Sequence, residues 1–171
     1  EFYDARETMP VAERERYLTQ RLREIIAYAY RQAPAVKEKM KRAGVTPSRI
    51  TTIKDLEKIP ITRKDEFTQQ QKANPPLGGF LAVGRPKIIY VSPGPIYEPE
   101  DPEEQIEICA QALYAAGFRE GDTAIIAFSF HMVPAGIRMS QVCQKLGITW
   151  IPTGVGNTEL QLEVMRDLKV D

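Results

Sequence analysis

The alternation of strand-like and helix-like segments from Lys87 to the last residue constrains this chain more than any other feature. Lys87 to Ser92 is a β-branched and aromatic run, and Glu103 to Ala116 carries Ile106, Cys109, Ala110, Leu113 and Ala116 at helical spacing before Gly117. Thr123 to Ser129 then reads as a strand, Pro134 to Leu146 as a helix before Gly147, and Ile148 to Pro152 as a third strand. Glu159 to Leu168 closes the series as a helix opened by Asn157 and Thr158, with Thr158 and Gln161 spaced as a capping box. Short apolar runs bounded by turn residues form buried strands, and a period of 3.6 marks the helices that cover them. The expected fold is therefore α/β, a three-stranded βαβαβα parallel-sheet unit. Three strands make a small sheet with an exposed edge, so the unit reads as incomplete and suited to self-association through that edge.

Residues 1–86 follow a different pattern. Pro10 suits a first helical turn, and Leu18, Leu22, Ile25, Ile26, Ala29 and Ala33 form one apolar stripe that Pro34 ends or kinks. A shorter helix from Ala35 to Ala43 stops at Gly44, and Thr52 and Thr62 each stand three residues before an Asp, the spacing of helix-starting side chains. The chain thus divides into a helical amino-terminal segment, 1–86, and an incomplete parallel α/β subdomain, 87–171.

Charge follows the same division. The 23 basic and 23 acidic residues cancel overall, but 17 basic and 11 acidic residues fall in 1–86, against 6 and 12 in 87–171. A neutral chain with few aromatics among its basic residues is not a nucleic-acid binder. No apolar run approaches the ~20 residues that span a bilayer, and Glu1 to Arg6 lack a signal-peptide pattern, so a cytoplasmic protein without membrane contact is expected. Cys109 and Cys143 lie among apolar residues at helical spacing, apart from the single His131. They read as reduced core thiols, and no metal site is expected.

Open α/β sheets hold ligands at the carboxyl ends of their strands, which singles out three loops. The first runs from Ser92 through Pro93, Gly94, Pro95, Ile96 and Tyr97 to Glu98 and Pro99. The second runs from Ser129 through Phe130, His131, Met132, Val133, Pro134 and Ala135 to Gly136. The third contains Thr153, Gly154, Val155, Gly156, Asn157 and Thr158. Its Gly-x-Gly lacks the third Gly of a dinucleotide fingerprint, so an NAD-binding domain is disfavoured. A His at a carboxyl strand end has a ligand-facing position open to it, but one His supports no His-His or His-Cys catalytic pair.

The order of elements and several short motifs resemble a known family. The Met9-Pro10 helix, Ala43-Gly44-Val45, Leu56-Glu57-Lys58-Ile59-Pro60 with Thr62 and Lys64, Ala115-Ala116-Gly117 with Gly121-Asp122, and Pro152 to Gly156-Asn157-Thr158-Glu159 with Gln161-Leu162 are similar to the amino-terminal part of phenylacetate-CoA ligases. That family belongs to the adenylate-forming, AMP-binding superfamily. The resemblance implies part of a ligase large domain whose parent enzyme, an acid-thiol ligase, converts a small-molecule carboxylic acid, ATP and CoA to an acyl-CoA, with Mg2+. The adenine and ribose motifs and the lysine-bearing carboxyl-terminal domain of such ligases lie outside these residues. The chain is thus expected to be a fragment that carries no catalytic residue, holds no cofactor tightly and is inactive alone.

The resemblance also assigns roles to the loops. Phe128, Phe130, His131, Met132, Pro134, Ala135 and Gly136 correspond to the strand end that lines the acyl pocket, and Gly154, Gly156, Asn157 and Thr158 to a strand-to-helix loop near the ligand. The family's phosphate loop is rich in Ser, Thr and Gly and ends in Lys, whereas here only Ser92 and Gly94 fit. Pro93 and Pro95 lack backbone donors, and Glu98, Glu100 and Asp101 are acidic, so the phosphate loop reads as altered. The alternative is a non-catalytic ligase relative, a small-molecule binding or interaction protein that has lost ATP binding.

Overall fold

Pro10 precedes the first helix and Pro34 ends it, as a residue without a backbone donor does best at a helix start. In the computed structural model, which describes residues 1–82 and 84–171, helix α1 spans Val11–Gln32 and α2 spans Pro34–Arg42. Two 3-10 helices follow, Pro47–Arg49 and Ile53–Lys58, and then α3, Lys64–Ala73. Strands β1, Ile89–Ser92, and β2, Ile96–Pro99, precede α4, Glu103–Ala115. Next come β3, Thr123–Ile125, α5, Ala135–Leu146, β4, Thr149–Ile151, and α6, Thr158–Asp167.

The chain forms two compact units, Met9–Pro99 and Glu1–Thr8 with Glu100–Asp171. The first contains the helices α1 to α3 and the β1–β2 strands, so its boundary falls at residue 99 rather than at the composition shift near 86. Its core is Met40, Val45 and Ile50, against which Leu22, Ile26 and Tyr30 pack from successive turns of α1. Thr52 starts its 3-10 helix as expected, through a capping box with Asp55. Lys58 and the Thr51 and Thr52 donors hold the Asp55 carboxyl well below the usual carboxylate range. Thr62 does not start α3. Arg63 stands at that position, its backbone N–H donating to Glu66 at 3.3 Å.

The second unit contains the α/β portion. β3 and β4 are parallel, with Thr123 opposite Thr149, Ala124 opposite Trp150 and Ile125 opposite Ile151. Ala124, Ile126, Cys143 and Ile148 form the core under this sheet, and burial pushes the Cys143 thiol up. Ile106, Ala110 and Val142 form a second core between α4 and α5, and Tyr3 packs against it. The first residues are strapped to α4: the Tyr3 and Tyr114 rings meet edge-on at 5.5 Å, and Asp4 accepts from Gln111 at 2.7 Å. Hydrogen bonding from Arg6 holds the Asp4 carboxyl at about 2.

One expectation fails. The run at 87–92 is not a strand of the parallel sheet, because β1 pairs antiparallel with β2 from Ile89–Pro99 to Ser92–Ile96. Only Pro93, Gly94 and Pro95 separate the two strands, which permits an antiparallel return and not a crossover of about a dozen residues or more. The parallel sheet therefore has two strands among the described residues. Thr158 and Gln161 make no capping box either: Asn157 precedes α6, and the Gln161 amide donates to the Gly154 carbonyl at 2.8 Å. Among the described residues, no helix is long and apolar enough to cross a membrane.

Candidate functional site

The second and third loops share a root at the carboxyl ends of β3 and β4. Ile126 donates its backbone N–H to Ile151 at 2.9 Å, and its carbonyl accepts from Gly154 N–H at 3.0 Å and Thr153 Oγ1 at 3.3 Å. These bonds extend the ladder past β3 and hold the two loops side by side. Gly154, Gly156 and Asn157 then take φ of 69°, 78° and 55°, a run of left-handed conformations that Gly and Asn adopt with least strain. Thr158 follows as the exposed first residue of α6.

The aromatic segment before α5 divides in two. Phe130 stacks on Trp150, centroids 6.1 Å apart and planes 16° from parallel, and packs against the Ala124–Ile148 core. Beneath it the Gly136 N–H donates to the Ser129 carbonyl at 2.9 Å. A Cβ at Gly136 would lie 2.6 Å from that oxygen and 2.8 Å from the Phe130 ring, so a residue with no side chain is required here. Pro134 and Ala135 are half-buried at the start of α5.

The other members project outward. Phe128 is 53% exposed, Met132 63% and, from the third loop, Val155 64%. His131 is exposed, and Ser129 Oγ donates to its carbonyl at 3.0 Å while Val133 N–H reaches the same carbonyl at 2.8 Å. These bonds close a tight turn around Met132, whose φ is 65°. The expected acyl-pocket residues thus separate into a buried support (Phe130, Gly136) and an exposed apolar rim with one imidazole (Phe128, His131, Met132).

The first loop is the turn of the β1–β2 hairpin, in the helical unit. Ser92 Oγ donates to Glu98 Oε2 across the hairpin at 2.8 Å, so this hydroxyl points at a carboxylate. A basic side chain lies at the same turn. A Cβ at Gly94 would lie 3.5 Å from Lys64 Cε, which places the first residue of α3 beside the Pro93–Gly94–Pro95 turn. Among the described residues no carboxylate pairs with the Lys64 ammonium.

Two turns further along α3, Gln71 is 2% exposed. Its Nε2 donates to the Tyr97 carbonyl at 2.6 Å and its Oε1 accepts from Tyr97 N–H at 2.9 Å. Neither Lys64 nor Gln71 stands out as a site residue in the sequence, since they lie 30 and 26 residues before Gly94 and Tyr97, the residues they meet. Their seven-residue spacing, which puts both on one helix face, was the available signal. A separate depression of about 600 Å3 in this unit is lined in part by Arg49 and Lys58. Its lysine is held by Asp55 at 2.6 Å.

No family model matches the chain. The phenylacetate-coenzyme A ligase of Escherichia coli (strain K12) is 31% identical over 176 aligned positions, an alignment that covers 98% of this chain and 39% of that protein. The phenylacetate-coenzyme A ligase of Pseudomonas putida is 28% identical over 177 aligned positions, with the same coverage of 98% and 39%. Among solved structures, 2-hydroxyisobutyryl-CoA ligase in the postadenylation state with R3-HIB-AMP superposes with a TM-score of 0.84 at 25% identity, over 95% of this chain and 36% of that one. The same enzyme with 2-HIB-AMP and CoA in the thioesterification state gives 0.82 at 24% identity, a likeness of fold. The chain spans 39% of the length of these two curated relatives.

Proposed function

We propose that this chain, a homologue of the phenylacetate-CoA ligases over nearly its whole length, is the acid- and phosphate-binding part of an AMP-forming acyl- or aryl-CoA ligase. The observation that carries this reading is the near end-to-end match, 98% of the chain, to enzymes of that one activity. In the proposed reaction a carboxylate oxygen attacks the α-phosphorus of ATP and expels pyrophosphate. The CoA thiol then attacks the acyl carbonyl and expels AMP.

The residues of this chain supply two parts of that chemistry. The apolar rim of Phe128 and Met132 suits the hydrophobic body of an aryl or branched acid, and the strand-end position of His131 suits its polar end. The Lys64 ammonium at the hairpin turn takes the place of the missing phosphate-loop lysine, as a point charge for phosphate oxygens. Among the described residues no group of three or more His, Cys, Asp or Glu side chains is placed to hold a metal ion, so no step is assigned to protein-held magnesium. The 171 residues by themselves are expected to bind the acid weakly and not to activate it.

One observation favours a second reading, a ligase-like binding protein without nucleotide chemistry. The Ser92 hydroxyl faces Glu98, and the two prolines of the turn offer no donor. Amide and methyl NMR of the chain separates the readings. Titration with phenylacetate is expected to shift Phe128–Val133 and Gly154–Asn157, and titration with ATP or pyrophosphate to shift Lys64 and the turn. Shifts with the acid alone would support the second reading.

A further inference from the structure

We infer that Gln71 is the positioning residue of the phosphate turn, holding the β1–β2 hairpin in register with α3 so that Gly94 stays beside Lys64. The inference rests on the proposed role of Lys64 in binding phosphate.

The geometry of one helix and one strand carries it. Seven helical residues separate Lys64 from Gln71, a rise of about 10 Å along the axis and very nearly two turns. Gly94 lies in the turn two residues before β2, and Tyr97 is the second residue of that strand. Lys64 meets the turn at Gly94 and Gln71 meets the strand at Tyr97, so α3 touches the hairpin at two points, one at its turn and one at the start of β2. A slip of one residue would move the turn by about 3 Å and out of reach of the ammonium.

Gln71 fixes that register because its amide satisfies both backbone groups of a single residue, as a neighbouring strand would. Tyr97 directs its N–H and carbonyl toward Gln71 and away from β1, where its partner is Val91. The amide is buried at 2% exposure, so breaking either bond leaves a polar group without water. A second contact keeps the helix backbone in place: a Cβ at Gly78 would lie 3.0 Å from Gln71 N, and the Gly78 N–H donates to the Asn74 carbonyl at 2.8 Å. The side chain is therefore aimed by its own helix.

Gln71→Leu, which keeps the bulk and removes both bonds, tests the inference in the intact chain. Amide hydrogen exchange at Tyr97 is expected to rise about tenfold or more, since the protecting bond is gone. Pyrophosphate, followed by calorimetry, is expected to bind about fivefold more weakly, while phenylacetate binding stays unchanged. In a Lys64→Met background the Gln71→Leu effect on pyrophosphate should vanish, because coupled residues are not additive. Gln71→Glu keeps an acceptor for Tyr97 N–H but sets a carboxylate against the Tyr97 carbonyl, and gives an intermediate result if the Leu variant does not fold. Faster Tyr97 exchange with unchanged pyrophosphate affinity overturns the positioning role, as does an additive effect in the double variant. Unchanged Tyr97 exchange overturns the brace itself. Wild-type protein indifferent to pyrophosphate removes the phosphate reading and this inference together, and is distinguished because Tyr97 exchange still responds to the substitution.

Discussion

Lys64→Met is expected to weaken pyrophosphate and ATP binding by about tenfold, with phenylacetate binding and thermal stability unchanged. Lysine at this position adds a full positive charge beside a turn whose own donors are few, and charge-assisted hydrogen bonds to phosphate are about twice as strong as neutral ones. The ammonium is not tied to a carboxylate among the described residues, so its loss disturbs no ion pair. Methionine preserves the length of the stem. Because the group is exposed, added salt should shrink the difference between wild type and variant, whereas a packing defect would be indifferent to salt. Calorimetry at low and high ionic strength checks both points, and equal affinities at low salt would remove Lys64 from the site. Gly94 is a poorer probe, since any side chain there meets Ile96 Cγ1 at 3.0 Å and alters the hairpin whether or not a ligand binds.

Gly136→Ala should destabilise the fold by about 2 kcal/mol, with the midpoint of urea unfolding lowered accordingly. Overpacking costs about 1–3 kcal/mol, and contacts of 2.6 Å to the Ser129 carbonyl and 2.8 Å to the Phe130 ring lie at the severe end. Alanine's better helix propensity returns up to ~1 kcal/mol, which the steric term exceeds. Phe130 must shift to accommodate the methyl group, and it stacks on Trp150, the only tryptophan in the chain. Native-state fluorescence should therefore change as well. A variant as stable as the wild type with unaltered emission would mean that the segment over α5 is looser than these distances require.

The same two positions show what was legible in the sequence. The Gly136 segment was marked out because a strand run, an aromatic cluster and a helix start follow one another without a gap. Short-range patterning places such features, and it also places α1, α2, α4, α5 and α6 to within a few residues. The division of labour inside the segment was not visible: Phe128 and Phe130 look alike in sequence, and only the stacking partner Trp150 makes one of them core. The hairpin was misassigned to the parallel sheet because Ile89–Ser92 has the composition of a buried strand, while its partner Ile96–Pro99 lay under proline and glycine that read as loop. The Pro-rich turn reads as an altered phosphate loop from its own residues alone. Lys64 and Gln71 reach that turn and strand from another element, and their shared helix face does not say which segment they meet 26 or more positions away. Tertiary pairing, not propensity, decides such features.

Acid-dependent exchange of labelled pyrophosphate into ATP, by the protein in its full natural length, tests the proposed ligase function most directly. Phenylacetate or another aryl or branched acid is predicted to stimulate exchange well above the acid-free rate, and Lys64→Met to reduce that stimulated rate about tenfold. Exchange that no acid of such a panel stimulates, in a protein that still binds phenylacetate, would contradict the ligase assignment and leave an acid-binding relative in its place.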